Sequence, residues 1–177
     1  EEEGYIERKR YGRSSSYQLT ARGLGLLQRV HAMLSLSLRG AVAVRLKGVV
    51  VPGIGEGAYY MSIPRYLDTF EEILGFRPYA GTLNVKLDEE STRARLGLRS
   101  QGIGYRVEGF VLDGKEFCGV TVYKAVIVAN GISVAGAALD IDKTKHGHDI
   151  LELIAPVRLR DVLNLRDGDP IEVIVLG

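Results

Sequence analysis

The sequence predicts a mainly β protein in which short strands form a closed or nearly closed barrel with short helices, preceded by a separate N-terminal segment. Strand-like alternation of apolar and polar residues recurs from Ala41 onward, and only two short helical patterns interrupt it. The dipeptides Asp113-Gly114 and Asn130-Gly131 are turn signals between successive strands. A chain of 177 residues is long enough for one main core and a small appendage.

The composition is that of an ordinary globular protein, with 46% hydrophobic and 25% charged residues. A formal net charge of +1 does not indicate nucleic acid or an acidic membrane surface as the main partner. No apolar stretch approaches the roughly 20 residues that a membrane-spanning helix needs. The first ten residues, EEEGYIERKR, do not resemble a secretory signal, so we expect a cytoplasmic protein with no membrane partner.

Residues 1–40 differ in character from the rest of the chain. Two short strands are predicted at Tyr5–Tyr11 and Ser16–Leu19, and Thr20 is a favourable N-cap for a helix carrying Leu24, Leu27, Val30 and Leu34. A basic hairpin followed by a Leu-rich helix is the order of the wing and last helix of a winged helix-turn-helix, although no recognition helix precedes this wing in the sequence. We therefore expect a partial winged-helix segment and linker over 1–40, with the linker beginning near Leu36, and a barrel domain over 41–177.

The barrel region divides into strands, two helices and one long excursion. The excursion, residues 88–108, is rich in Arg, Ser and Gly and is expected to be mobile. Helices are predicted from Pro64 to Gly75 and over 159–165. Strands are predicted over 42–51, 58–63, 81–87, 125–129, 134–140, 150–155 and 171–176, with a hairpin over 109–123.

A glycine-rich loop, PGIGEGA over 52–58, lies between the first two predicted strands. The backbone amides of Gly53, Gly55 and Gly57 can approach a phosphate chain closely, because glycine has no Cβ and tolerates positive φ. A dinucleotide-binding loop is rejected, since the residues after the loop favour a strand where that motif requires a helix. A Walker A loop is rejected because no Gly-Lys-Ser/Thr follows. A phosphate-binding loop and a tight bulged turn without a ligand both remain possible interpretations.

The segment GTLNVKL over 81–87 places a second set of polar groups nearby. Because strand side chains alternate, Thr82, Asn84 and Lys86 are expected on one face, opposite an apolar face. A hydroxyl and an amide oxygen are suitable ligands for Mg²⁺ that shares its coordination shell with substrate phosphates. A solvated face of an edge strand is the alternative, and spacing alone does not exclude it. Lys86, Arg158 and Arg160 are candidate cations for a phosphate chain.

Several long strings resemble the archaeal CTP-dependent riboflavin kinases. They are VVVPGIGEGAYYMSIP over 49–64, FEEILGFRPYAGTLNV over 70–85, DILELIAPVRLR over 149–160 and LRDGD over 165–169. The resemblance covers nearly all of 41–177 in the same order. It implies a six-stranded cradle-loop β-barrel that transfers the γ-phosphoryl group of CTP to the 5′-hydroxyl of riboflavin, giving FMN and CDP.

The resemblance also implies roles for individual residues. Family members usually carry Thr-His-His where this chain has Thr144, Lys145 and His146, so the flavin side of the site departs from the family pattern. Glu152 is also the candidate catalytic residue, because strand alternation places it opposite the apolar face; a general base and a merely solvated carboxylate both remain possible interpretations. The implied sets are Gly53, Ile54, Gly55, Glu56, Gly57, Ala58, Val157, Arg158, Leu159 and Arg160 for the nucleotide, Thr82 and Asn84 for Mg²⁺, and Thr144 and Glu152 for the flavin.

Two other classes of function remain as alternatives. The first is a flavin- or nucleotide-responsive transcription regulator that binds DNA through the basic hairpin over 5–19. Its weakness is the missing recognition helix together with the nearly neutral charge. The second is a barrel that binds DNA directly, as transition-state regulators do; it depends only on LRDGDPIEV over 165–173, which lacks clustered basic residues.

Overall fold

The computed structural model describes residues 4–11, 14–39, 44–144 and 146–177. It begins with a hairpin of strands β1 (Ile6–Tyr11) and β2 (Ser14–Leu19), followed by helix α1 (Ala21–Arg39). Thr20 caps this helix as predicted, because its hydroxyl accepts a hydrogen bond of 3.1 Å from the Gly23 amide. The stretch predicted as a linker is helical as far as Arg39, and 40–43 lie outside the described residues. Assignment of this segment to a winged helix stays a prediction.

The remaining elements follow in chain order. A short 3-10 turn, Arg99–Gln101, extends the fourth helix. The elements are β3 (Val44–Val51), α2 (Gly57–Tyr60), α3 (Pro64–Leu74), β4 (Leu83–Leu87), α4 (Glu89–Leu98), β5 (Tyr105–Val107), β6 (Phe110–Leu112), β7 (Lys115–Phe117), β8 (Val120–Ala129), β9 (Ile132–Ile141), β10 (Ile150–Ile154), α5 (Leu159–Val162) and β11 (Pro170–Val175).

Six strands form a closed antiparallel barrel, which confirms the predicted fold class. The strand order is β11-β3-β4-β10-β9-β8, and pairing of β11 with β8 closes the ring. Closure leaves none of these six strands with an unpaired edge over its full length. Strand β5 adds to β8 outside the ring, and β6 pairs only with β7.

Two apolar layers lie on opposite sides of the barrel wall. The interior holds side chains such as Leu46, Val85 and Leu151, while the alternate residues of the same strands point outward. An outer layer packs between the wall and the elements α2, α3, β6 and β7. Its buried members include Met61, Tyr66, Phe70, Phe110, Phe117, Val120, Val122 and Leu139. The outer face of the wall is therefore covered where these elements cross it.

The strand predicted over 58–63 is wrong. The chain forms α2 directly after the glycine loop, with Tyr60 N donating to Glu56 O at 3.2 Å and Met61 N donating to Gly57 O at 2.9 Å. Only three residues separate α2 from Pro64 at the start of α3, so this segment has no room to reach a partner strand. Local helical hydrogen bonds therefore prevail over the β-propensity of its aromatic residues.

The expected mobile excursion over 88–108 is also wrong, because it is largely ordered secondary structure. Asp88 caps α4 by accepting a 2.7 Å hydrogen bond from the Ser91 amide. The Ser91 hydroxyl accepts a 2.7 Å hydrogen bond from Lys47 N, which joins the helix to β3. Arg95 and Leu98 are buried against the barrel. The chain returns through β5 to join β8.

Most other predicted boundaries lie within two residues of the observed ones. Two predictions are wrong: β8 runs unbroken over Val120–Ala129, where a hairpin over 109–123 and a separate strand over 125–129 are predicted, and α5 ends at Val162 instead of near residue 165. Helix α3 begins with Pro64 and ends at Gly75, which has φ of +76°. Asp113-Gly114 and Asn130-Gly131 all have positive φ, as the two predicted turns require. The apolar residues predicted on α1, Leu24, Leu27, Val30 and Leu34, are exposed. No helix in the described part of the chain is long and apolar enough to cross a membrane.

Candidate active site

The floor of the candidate site is the outer face of the barrel wall. Asn84 on β4 lies directly opposite Glu152 on β10, and Glu152 lies opposite Leu139 on β9. Side chains of directly paired residues point to the same face of a sheet. Their neighbours Leu83 and Leu153 point into the barrel. The strand register thus brings an amide and a carboxylate together beneath the outer apolar layer.

The glycine loop rests directly on the start of β4. A Cβ atom added to Gly53 would lie 2.6 Å from Asn84 Nδ2, and one added to Gly57 would clash with Thr82 Oγ1. Gly55 has φ of +83°, a conformation that side chains disfavour. Glycine is therefore required at these positions for two reasons, close approach and backbone conformation. The two motifs noted separately in the sequence form one contact surface.

A cavity of about 320 Å³ opens between the glycine loop and the barrel wall. Loop residues 53–58, Thr82 and Asn84 form one side, and Thr144, His146 and Glu152 line it as well. Tyr60, Met61, Tyr66, Phe70, Val120 and Leu139 supply its apolar surface. The predicted phosphate, metal and flavin residues therefore border the same space, which we call the principal cavity.

A smaller cavity of about 200 Å³ lies on the other side of Thr82. Tyr79 and the segment 157–160 line it. Both cavities include Gly81 and Thr82 in their walls, so they meet at this point. The residues predicted to bind the nucleotide are accordingly divided, with 53–58 in the principal cavity and 157–160 in this second cavity.

Asn84 carries a buried polar atom that no described residue pairs with. The residue is only 4% exposed, and its Oδ1 has no hydrogen-bond partner in the part of the chain that the structure describes. A buried carbonyl oxygen left unpaired costs roughly 1–3 kcal/mol, so such an atom in a functional cleft indicates a missing ligand. The neighbouring Thr82 hydroxyl is a second neutral oxygen. Among the described residues no cluster of three or more His, Cys, Asp or Glu side chains could hold a metal ion. The pair fits Mg²⁺ that takes its remaining ligands from water and phosphate.

Glu152 is a half-buried carboxyl in the principal cavity. Burial raises the pKa of Glu152 above its ordinary value, while a hydrogen bond from the Thr82 side chain and the proximity of His146 act in the opposite direction. A carboxyl with a raised pKa is a better proton acceptor than one in water. Its position next to Asn84 places this acceptor beside the possible metal site.

Tyr66, another ionisable group in the cavity wall, has a different character. Burial raises the pKa of Tyr66 to about 12, and its hydroxyl donates a 2.5 Å hydrogen bond to the Cys118 carbonyl oxygen. The phenol therefore stays protonated at neutral pH. Its ring packs edge-on against Phe110 with a centroid distance of 4.9 Å. Tyr66 is a rigid wall of the cavity.

The three cations considered from the sequence each lie beside a carboxylate. Such pairing reduces the charge that each can offer to a phosphate chain. Arg160 also donates to Val51 O at 3.2 Å, which ties α5 to the strand leading into the glycine loop. The pairs are Lys86–Asp149 at 4.0 Å, Arg158–Asp161 at 3.1 Å and Arg160–Asp167 at 2.6 Å.

Lys143 is a cation that the sequence interpretation overlooked. It lines the principal cavity, next to Thr144. Its position immediately before Thr144 was a signal in the sequence, because that threonine was already implied in flavin binding. Thr144 itself accepts a 3.1 Å hydrogen bond from His146 N, which shapes the loop that carries these residues.

Comparison with known proteins identifies the family. A family model named for CTP-dependent riboflavin kinase, and described as the domain of unknown function DUF120, matches residues 50–175. The chain is 59% identical to a riboflavin kinase of Thermofilum pendens over 176 residues, covering 99% of this chain and 78% of that protein. The chain belongs to the CTP-dependent riboflavin kinase family.

Other riboflavin kinases match most of the chain at lower identity. A riboflavin kinase of Thermococcus kodakarensis is 40% identical over 99% of this chain and 78% of its own length. One from Pyrobaculum aerophilum is 42% identical over 90% of this chain and 73% of its own length. The range matched by the family model includes the glycine loop and both cavities. The names of these relatives give no support to a DNA-binding role for the N-terminal hairpin.

Proposed function

We propose that this protein phosphorylates riboflavin by transferring the γ-phosphoryl group of CTP to the 5′-hydroxyl, giving FMN and CDP. The observation that carries the proposal is the contact of the glycine loop with Thr82 and Asn84, at the point where two cavities meet. A reaction between a nucleotide and a flavin needs two binding spaces joined at the transferring phosphoryl group. Membership of the family supplies the chemical identity of both substrates.

The two cavities suit different parts of the substrates. The principal cavity has an apolar wall with several aromatic side chains, which is suitable for a flavin ring, and Thr144 and Glu152 offer it polar contacts. The second cavity, lined by 157–160, takes the nucleoside end of CTP. The triphosphate then lies along 53–58, where glycine amides can approach its oxygens. This arrangement directs the γ-phosphoryl group toward the flavin.

Thr82 and Asn84 are the residues that would hold Mg²⁺. When bound, the ion supplies positive charge to the phosphate oxygens of the donor. The unpaired Asn84 Oδ1 supports this assignment, because it is an oxygen ligand already free of competing hydrogen bonds. Neutral ligands are appropriate, since the phosphates bring the negative charge.

The protein's own groups position the reactants and accept one proton. Phosphoryl transfer depends mainly on in-line placement and on neutralisation of charge, and it needs little covalent assistance. In our proposal Glu152 accepts the proton of the riboflavin 5′-hydroxyl. The hydroxyl oxygen forms a bond to the γ-phosphorus, the bond from that phosphorus to the β,γ-bridging oxygen breaks, and CDP leaves with the bridging electrons.

The test is formation of FMN from riboflavin, Mg²⁺ and either CTP or ATP, followed by chromatography. We expect FMN with CTP, and we expect Thr82→Ala combined with Asn84→Ala to abolish Mg²⁺-dependent turnover while circular dichroism stays unchanged. Thr69→Ala is the matched control, since this side chain bonds within α3 and lines neither cavity. Turnover retained in the double variant would refute the site. No FMN with either nucleotide, together with a salt-sensitive gel shift, would favour the regulator alternative.

A further inference from the structure

An exposed aromatic side chain forms one wall of the second cavity. Tyr79 is 44% exposed and lines this space together with Thr82 and the segment 157–160. A single exposed aromatic residue is common on protein surfaces and indicates nothing by itself. Tyr79 differs in being placed within the cleft, where a bound molecule would cover its ring.

The backbone around Tyr79 is held firmly. Its amide donates a 2.8 Å hydrogen bond to Ala155 O, and its carbonyl oxygen accepts one of 2.8 Å from Gly81 N. A Cβ atom added to Gly81 would lie 3.3 Å from Tyr79 Cε1, so the ring lies close over this glycine. The position of the ring is therefore defined before any ligand arrives. Preorganisation of this kind reduces the entropy lost on binding.

The ring has no stacking partner within the described residues. Two other exposed tyrosines each carry a lysine over the ring: Lys115 lies 4.4 Å from the centroid of Tyr59, and Lys124 lies 4.9 Å from that of Tyr105. In the part of the chain that the structure describes, no aromatic or cationic group occupies the corresponding place at Tyr79. A planar ligand in the second cavity can therefore reach it.

We propose that Tyr79 is the platform on which the nucleobase of the phosphoryl donor stacks. The inference rests on the proposed function, which places the triphosphate at Thr82 and leaves the second cavity to the nucleoside. Thr82, Tyr79 and the segment 157–160 all line this cavity, so a base attached to that triphosphate can reach the ring. Stacking uses the π-face that every base has. Tyr79 thus contributes affinity, whereas selection of cytosine requires contacts to the edge of the base.

The experiment compares Tyr79→Ala and Tyr79→Phe with the wild-type protein. Tyr105→Ala is the matched control, because Tyr105 is 48% exposed and lines neither cavity. Steady-state KM values are measured for CTP, UTP and riboflavin, CDP affinity is measured by calorimetry, and folding is followed by thermal melting. We expect Tyr79→Ala to raise KM for CTP and Kd for CDP about fivefold or more, since stacking on an aromatic ring contributes roughly 1–3 kcal/mol per base, or about fivefold to 150-fold in affinity.

Further expectations separate stacking from other roles. Tyr79→Phe keeps the ring and should resemble wild type, and Tyr79→Ala should leave the melting temperature, KM for riboflavin and the CTP-to-UTP preference unchanged. The proposal is overturned if Tyr79→Ala changes nucleotide affinity by less than about twofold, or if it raises KM for CTP and for riboflavin together. A shift in the CTP-to-UTP preference would also overturn it, as would a Tyr79→Phe variant that is as impaired as Tyr79→Ala. If wild type binds CDP but makes no FMN, the proposed function fails while the CDP affinities still decide the role of Tyr79. Absence of CDP binding in wild type overturns both.

Discussion

Glu152 is an ionisable residue whose environment opposes its charge. Its folded pKa is raised by burial, so the folded state holds the proton more tightly than the unfolded chain, whose glutamate pKa is about 4.3. The free energy of unfolding therefore decreases as pH rises from the unfolded pKa through the folded one. We expect Glu152→Gln to gain stability relative to wild type as pH rises above about 4.3, measured by urea unfolding. A stability difference that does not change with pH would contradict this expectation.

Lys143 is the residue we expect to assist the transferring phosphoryl group. Lys143→Ala removes a positive charge from the principal cavity, and we expect kcat to fall by roughly tenfold to a hundredfold, with Lys143→Arg retaining most activity. Lys86→Ala is the control, because Lys86 lines neither cavity and lies 4.0 Å from Asp149. An equal decrease of kcat in the two alanine variants would show that Lys143 acts only through the overall charge of the protein and does not assist the phosphoryl group within the cavity. The measurement is steady-state FMN formation.

The sequence predicted the chemistry of individual residues better than their burial. Strand alternation correctly separated Thr82 and Asn84 from the apolar face of their segment. It did not predict that Asn84 is buried, because the cover comes from the glycine loop and from strands that are distant in sequence. Pairing of Asn84 with Glu152 is likewise a property of the barrel register, which no local pattern encodes.

Helix α4 attaches to the barrel and to the loop that carries Thr144. Arg95, which is only 6% exposed, donates to His148 O at 2.9 Å and Ile150 O at 2.5 Å, and it lies 3.5 Å from Asp140. Burial lowers the pKa of Arg95, and the nearby Asp140 opposes that effect. We expect Arg95→Ala to destabilise the protein by about 3 kcal/mol, because it leaves two carbonyls and a carboxylate without this partner.

Chemical denaturation checks this prediction, with Arg93→Ala as the matched control. Arg93 lies on the exposed side of the same helix, 3.8 Å from Glu89, and its replacement should change stability by less than about 0.5 kcal/mol. Both variants lose one arginine at a similar helical position, so helix propensity cancels in the comparison. Equal stability losses would show that the buried contacts of Arg95 do not hold the helix in place.

Secondary structure was predictable where local signals were strong. Pro64 and Gly75 bound α3 as expected, and the two turn dipeptides join the strands predicted around them. The sequence does not predict helix α4, because its many Arg, Ser and Gly residues are typical of a loop. Asp88 followed by two glutamates is nevertheless the start signal of a helix. Helix α2 was missed because its aromatic residues favour strands and the decisive constraint is the short distance to α3.

Over the whole molecule, the N-terminal segment contacts the barrel through α1, mainly against β9. A Cβ atom added to Gly25 of α1 would clash with Ser133 O on β9, so the helix backbone approaches this strand closely. Gln28 Oε1 accepts a 3.3 Å hydrogen bond from Ala135 N. Among the described residues, the ring of six strands begins at Val44. The barrel is thus closed by its own strands.

We therefore expect a variant that begins at Val44 to fold and to form FMN, with KM for both substrates within about twofold of wild type. Its melting temperature should fall by only a few degrees, since the lost contacts are with the outer surface of β9 and β8 and line neither cavity. The matched control ends at Asp169 and so lacks β11, which pairs with both β3 and β8. Removing this strand opens the ring, and we expect loss of cooperative unfolding and of FMN formation. If the variant beginning at Val44 were also unfolded, α1 and the hairpin would belong to the same cooperative unit as the barrel, and the boundary near residue 41 would be wrong.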